Sequence, residues 1–285
     1  MFSGVIALFS SQPTVVVTEK QHTIDTVQEK PTLNRLRGII IQAASLSHEG
    51  HIPSAFSVLN ILSVLYQRVL KIDPNHPDVF DRDRFVLSKG HASLALYAVL
   101  ADRGFFPLEI LFQFASYNSP LGGHPHAQKI PGIEASTGSL GHGFPMAVGM
   151  ALGLKIHKSA NRVYCLVGDG ECNEGSIWES ALLAAHHQLS NLCCVVDYNH
   201  STDRALSMGD ISEKFKAFGW DSLTIDGHNE EEIYDALTLR HENKPLAIVA
   251  ETIKGYGCKS MENEPAWHHK SPTEQELVEL LQELL

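Results

Sequence analysis

The 285-residue chain has no basic stripe, no membrane-length apolar run and no paired-cysteine spacing. Each absence excludes something. Lysine and arginine together number 22 against 33 aspartates and glutamates, a formal net charge of −11. A chain of that sign does not suit nucleic acid as its main partner. The apolar run Val5 to Phe9 follows no basic region and is far too short to span a membrane. The cysteines (Cys165, Cys172, Cys193, Cys194, Cys258) contain no Cys-x-x-Cys, and three of them fall in strand-like apolar runs, where cysteine behaves as a small apolar residue. Reduced thiols in a cytoplasmic protein fit that pattern. No Gly-x-Gly-x-x-Gly follows a strand, so a nicotinamide-nucleotide domain is disfavoured.

What is present is ordinary in bulk and specific in detail. With 44% hydrophobic and 19% charged residues, the chain supports one large α/β domain. Helical patterns run over 33–47, 55–70, 91–103, 141–158, 174–189, 230–241 and 273–285. Short continuous apolar runs at 84–88, 163–167, 192–197, 222–226 and 246–251 read as strands. Helices alternating with such runs predict a doubly wound parallel sheet with helices on both faces. The domain is expected to cover 31–285. Residues 1–30 are mixed and polar, and read as an N-terminal extension, either a flexible arm or a segment that packs on a partner. In the last helix Leu277, Leu280, Leu281 and Leu284 form one apolar stripe, which covers either the domain's own core or another subunit.

The densest signal lies between Gly168 and His200. A Gly-Asp-Gly turn, Gly168-Asp169-Gly170, follows the strand-like run 163–167, and Asn199 stands thirty positions after Asp169, just past the next strand. Parallel sheets bind ligands outside the carboxyl ends of their strands. Glycines 168 and 170 let the backbone turn sharply near a phosphate, and a helix N-terminus near Glu174 favours an anion there. Asp169 offers a carboxylate oxygen and Asn199 an amide oxygen, a donor set that suits Mg²⁺ shared with a diphosphate.

The turn resembles the thiamine-diphosphate motif, and its surroundings narrow the resemblance to transketolases. Ser-His-Glu-Gly-His-Ile-Pro-Ser stands at 47–54, Asp-Arg-Phe-Val-Leu-Ser-Lys-Gly-His-Ala-Ser at 83–93 and Gly-Gly-His-Pro-His at 122–126. Gly-Ile-Glu-Ala-Ser-Thr-Gly-Ser-Leu-Gly-His-Gly follows at 132–143, and Met-Glu-Asn-Glu-Pro-Ala-Trp-His-His at 261–269. These blocks keep the family's order across about residues 35–270. Gly-Asp-Gly to Asn is also found in 2-oxoacid dehydrogenases and deoxyxylulose-phosphate synthases, but the histidine blocks favour transketolase. A noncatalytic cofactor-binding subunit is a third reading, against which the intact Asp169, Asn199 and site histidines stand.

The resemblance implies thiamine diphosphate and Mg²⁺, or Ca²⁺ or Mn²⁺ in its place, with Asp169, Asn199 and the Ser201 carbonyl as metal ligands. It implies cofactor contacts from His91, Gly138, Ser139, Leu140, Gly168, Asp169, Gly170, Glu171, Asn199 and His268. His51, His91, His124 and His268 would meet cofactor or substrate oxygens, since histidine donates, accepts and shuttles protons near neutral pH. Glu174 would reach across a subunit interface toward the cofactor-activating glutamate of a second domain. His22, His76, His157, His186, His187, His228, His241 and His269 read as surface or locally bonded residues. A zinc reading of His124 and His126 lacks further ligands at metal-site spacing.

Two departures from the family are visible. His142 stands where glutamine is usual, and the loop after Asn199 reads His200-Ser201-Thr202-Asp203-Arg204, polar where the family is apolar. The resemblance also stops where the family's diphosphate-binding domain stops. It therefore implies a C-terminal partner subunit carrying the pyrimidine-binding domain, in an α₂β₂ assembly that moves a two-carbon ketol unit from a ketose to an aldehyde.

Overall fold

The structure is a computed structural model that describes residues 33–240 and 242–285. The expected extension 1–30, His22 and His241 lie outside the described residues.

Five strands among these residues form one all-parallel sheet in the order β1-β2-β3-β5-β4. They are β1 (Arg84–Leu87), β2 (Val163–Gly168), β3 (Leu192–Tyr198), β4 (Asp221–Asp226) and β5 (Leu246–Glu251). The helices are α1 (Leu33–Ser47), α2 (Ile52–Val64), α3 (Ser93–Asp102), α4 (Gly143–Ile156), α5 (Gly175–His186), α6 (Asp203–Leu206), α7 (Ile211–Ala217), α8 (Glu230–Thr238) and α9 (Glu274–Glu283).

Successive strand side chains point to opposite faces, so each inner strand feeds two cores. Tyr164, Leu166, Cys193, Val195, Ile248 and Ala250 face one, built with α1, α2, α3, α8 and α9. Cys165, Val167, Cys194, Val196, Ala247 and Val249 face the other, built with α4, α5 and α7. Burial on both faces explains why these strands read as unbroken apolar runs. β4, at the edge, is the polar exception, with Thr224 and Asp226 exposed.

The predicted strands match to within a residue at each end. Two differences have physical causes. α2 begins three residues before the expected start of 55, because Pro53 is tolerated in a first helical turn, and it ends in a π turn over Leu65–Val69. The short helices α6 and α7 carry no sequence expectation, since four and seven residues show little periodicity. The stripe on α9 covers the domain's own core: Leu280, Leu281 and Leu284 are buried and Leu277 packs beside them. A complete capping box between Thr273 and Glu276 starts that helix.

All five cysteines are free and buried. No described helix is long and apolar enough to cross a membrane.

Candidate active site at the carboxyl ends of the strands

The turns leaving β1, β2, β3 and β5 converge. Asp169 directly follows β2, and its Oδ1 accepts the Gly170 N–H at 2.7 Å. Its Oδ2 is buried and has no hydrogen-bond partner. Burial first, then the nearby charge of Asp197, raises this carboxyl above its ordinary value. A buried carboxylate oxygen without a donor is costly in a folded chain unless a cation meets it.

Asn199 follows β3. Its Nδ2 donates to Asp197 Oδ2 at 2.8 Å, which orients the amide. Oδ1 is thereby turned to Ser201, whose N–H donates to it at 3.1 Å. The two turns abut: Asn173 Nδ2 donates to Thr202 Oγ1 at 3.0 Å. Asp169, Asn199 and Ser201 thus fit the oxygen-rich donor set of a hard divalent cation. Among the described residues no group of three or more His, Cys, Asp or Glu side chains is placed to hold a metal ion.

A short 3-10 turn, Gly170–Asn173, precedes α5, whose N-cap is Glu174. Glu174 is exposed, and Gly141 packs against its side chain. Glu171 is buried and its carboxylate accepts from Gly141 N–H at 2.9 Å, from Gly168 N–H at 3.2 Å and from the Ser88 hydroxyl. Its carboxylate therefore ties the segment at 138–143 to the ends of β1 and β2. The same segment is fixed by Thr137 Oγ1 donating to Leu87 O at 2.7 Å and by Ser176 Oγ donating to Gly141 O at 2.7 Å. Ser139, exposed, and Leu140, half-buried, follow in the same segment. His142 is exposed, its Nδ1 3.0 Å from Leu140 O. At Gly138, φ is +153°, and a Cβ there would stand 3.0 Å from the His124 ring. The glycine is what lets that imidazole lie against the segment.

Across from these turns stand the histidines. His51 is the N-cap of α2, and His91 sits in the 3-10 turn after β1. The His51 ring lies 5.4 Å from His91, 5.7 Å from His268 and 4.6 Å from His269. The charge of His124 also acts on His51. The structure therefore gathers His51, His91, His124 and His268, and His269, exposed at the surface as the sequence places it, lies at their edge. His126 accepts the Gln128 N–H at Nδ1.

The transketolase thiamine diphosphate-binding domain family matches residues 28–285. The chain belongs to that family. It is 39% identical over 249 residues to the 6-deoxy-6-sulfo-D-fructose transketolase subunit SqwG of Clostridium sp. (strain MSTE9), covering 85% of this chain and 90% of that protein. It is 36% identical over 268 residues to one of the apulose-4-phosphate transketolase subunits of Phocaeicola vulgatus, covering 92% and 94%. The solved transketolase from Campylobacter jejuni superposes with a TM-score of 0.81 at 32% identity, covering 88% of this chain and 41% of that one. The human transketolase is 38% identical over 261 residues, 42% of its length. The chain thus spans nearly all of the two subunit proteins and about two fifths of the longer transketolases.

Three further residues of this transketolase domain carry no signal of their own in the sequence. Asp197, fully buried near the end of β3, accepts from Ser57 Oγ at 2.9 Å and Asn199 Nδ2 at 2.8 Å, and also from the Lys89 ammonium and the Thr252 hydroxyl. Burial pushes its carboxyl up, but the charge of Lys89 and these hydrogen bonds outweigh that and hold it below its ordinary value. Lys89 is itself buried. Lys254, after β5, lies 2.9 Å from His268 Nδ1 and donates to Ser201 Oγ at 3.2 Å. Burial, then the charge of Lys89, lowers its pKa. The one clue was a single acid, Asp197, at the end of an apolar strand, which requires a counter-charge somewhere in the fold.

Three of these imidazoles are held below the ordinary histidine value. Burial first, then neighbouring histidines and Lys254, brings His51 down to about 4. Burial and the charge of Lys89 bring His91 down to about 2. His268 is lowered by burial and Lys254. A histidine whose folded pKa is depressed contributes stability that is present above its unfolded pKa and lost as pH falls toward the folded one. The apo chain is therefore expected to lose stability from about pH 6.5 downward, with His91 alone bounding its share of the slope at about 1.4 kcal/mol per pH unit. Thermal unfolding from pH 7.5 to 5 checks this. The His91→Asn chain should show the shallower profile, and an identical slope would exclude His91 as its source.

Proposed function

We propose that this chain is the diphosphate-holding subunit of a split transketolase that transfers a two-carbon ketol unit from a ketose, a sugar phosphate by class, to an aldehyde. Mg²⁺, or Ca²⁺ or Mn²⁺ in its place, would be held by Asp169 Oδ2, Asn199 Oδ1 and the Ser201 carbonyl. The observation that carries the reading is the Asp169 carboxylate oxygen without a hydrogen bond at the mouth of β2, beside the oriented Asn199 amide and the histidine cluster. Thiamine diphosphate supplies the nucleophilic carbon and the electron sink.

The chain's own residues bind, orient and move protons. The helix N-terminus of α5 and the cationic Lys89 and Lys254 favour the diphosphate's negative charge. The backbone of 138–140, pinned through Glu171 and Thr137, forms the wall on which His124 rests. A neutral imidazole carries one donor and one acceptor nitrogen. His51, His91, His124 and His268 can hold substrate hydroxyl and carbonyl oxygens as hydrogen-bond partners and serve the reaction's proton transfers. Glu174, exposed at the α5 N-cap, is free to reach a second subunit. That subunit would bring the pyrimidine-binding domain, in an α₂β₂ assembly in the cytoplasm.

Affinity purification of this chain from its own cells, in Mg²⁺ and thiamine diphosphate, tests the assembly by mass spectrometry. A second chain carrying a pyrimidine-binding domain is expected; recovery of this chain alone would refute the split. In the reconstituted complex, His124→Ala is expected to lower kcat by about 10²- to 10⁴-fold, the range of a lost acid–base group, with an unaltered melting temperature. Full turnover in that variant would remove His124 from the site.

A further inference from the structure

The opposite end of the sheet holds a second polar cleft that the proposed reaction does not use. It lies where the chain enters β1 and β2, beside the π turn after α2 and the end of α8. Its volume is about 60 Å³, and Arg68, Lys71, Asp83, Arg162, Tyr164 and Arg240 line it. Four of these six carry positive charge, in a chain whose formal net charge is −11.

Two of the charges have assigned work. Arg68 makes a bidentate pair with Glu231 at 2.8 and 3.0 Å. Asp83, the one acid, accepts the Arg162 N–H at 2.8 Å and the Lys71 N–H at 3.0 Å. Its carboxylate is taken up by backbone.

Arg162 is the decisive residue. It is only 4% exposed. Its Nη1 donates to the Leu237 carbonyl at 2.9 Å and to the Tyr164 hydroxyl at 3.1 Å, and its guanidinium lies 5.1 Å from the Tyr164 ring centroid. These contacts cap the last turn of α8 and would explain a structural arginine. They do not neutralise it, and its Nε is buried without an acceptor. Arginine is rarely this buried without an anionic partner. With Asp83 as the one acid against four cations the cleft keeps a positive excess, and the exposed Lys71 and Arg240 put that excess within reach of solvent.

We propose that this cleft binds a phosphoryl group, as inorganic phosphate or as the phosphate of a small metabolite. Guanidinium groups match phosphate oxygens through paired N–H donors, and the volume admits one such group with the rest of a ligand left in solvent. The cleft is separate from the Asp169 site: the six residues of β2 lie between Arg162 and Asp169, roughly 23 Å at strand rise. The inference therefore stands or falls independently of the transketolase reading.

Phosphorus-31 line broadening of inorganic phosphate, titrated onto the full chain at constant ionic strength with excess thiamine diphosphate and Mg²⁺, tests it. Saturable broadening is expected, with at least a tenfold weaker affinity in Lys71→Gln/Arg240→Gln, whose exposed side chains carry none of the fold. That variant leaves the Asp169 end untouched, so its loss cannot come from the cofactor site. Repeating the titration with glycerol 3-phosphate distinguishes the sources: tighter binding of the ester assigns the cleft to a phosphorylated metabolite, tighter binding of the free ion to phosphate itself. Broadening that does not saturate, or affinity unchanged in the double variant, would overturn the proposal.

Discussion

Asp169→Ala is expected to weaken Mg²⁺-dependent thiamine diphosphate binding by at least about a hundredfold, the loss of a charged metal ligand, while the fold stands. The side chain sits at the strand end, where its close hydrogen bond is to its neighbour Gly170, and the Thr202 backbone N–H also acts on it. The apo chain should even gain. A carboxyl whose folded pKa is raised contributes stability only below its unfolded pKa, and that contribution is lost as pH rises through the folded one. At neutral pH the charged, half-satisfied group therefore opposes folding. Asp169→Asn, of the same shape and uncharged, should raise apo stability by about 1 kcal/mol while abolishing the cofactor-induced rise in melting temperature. Calorimetric titration and melting curves with and without cofactor read both effects. Retained affinity in Asp169→Ala would sink the metal assignment.

Asp197→Ala should do the reverse: it should cost the fold itself. The change leaves the Lys89 ammonium buried without its partner, and removes the acceptor for Ser57, Thr252 and Asn199. Breaking a buried pair by deleting one member destabilises by about 3–5 kcal/mol. The double change Asp197→Leu/Lys89→Met should destabilise less than Asp197→Ala, because no charge is stranded. Because the folded pKa of Asp197 is depressed, its contribution is complete above the unfolded value near pH 4 and is lost only as pH falls through the folded one. Urea unfolding at pH 7 and pH 3 should show the cost of Asp197→Ala shrinking in acid. A loss under about 1 kcal/mol at pH 7, the scale of an exposed pair, would show that the pair is not sealed from water.

The order of strands and helices is legible in the sequence because both faces of the sheet are covered, which leaves continuous apolar runs such as Cys193 to Val196. Asp169 and Asn199 are legible because each lies within a residue or two of a strand end, where sequence position fixes spatial position. Other features are hidden for physical reasons. Lys89 and Asp197 stand 108 residues apart, and nothing local in either segment names the other. His269 is at the surface, as it reads in the sequence, but its ring also lies 4.6 Å from His51 and it meets Glu49 at 3.4 Å, neighbours that Trp-His-His does not name. His228 likewise reads as a loop residue. Its ring stacks on Tyr256 at 3.5 Å and its Nε2 accepts the Ile253 N–H at 2.8 Å, next to Lys254. Only tertiary packing places these. The departure at His200 has a local cause, since its ring lies 2.8 Å from Asp203 and 3.0 Å from Glu251 and anchors the polar loop to the end of β5.

The contacts around Asp197 also set an order of events in time. Its partners come from 140 and 108 residues upstream and 55 downstream, so no early segment of the chain holds the carboxylate alone. During synthesis Ser57 and Lys89 emerge long before Thr252. Contacts of such separation form late, after the loops between them have closed. Until then the Asp197 carboxylate that orients the Asn199 amide lacks its buried counter-charge and its hydroxyl donors. The carboxyl end of β3 is therefore completed only when Thr252, after β5, has joined the fold.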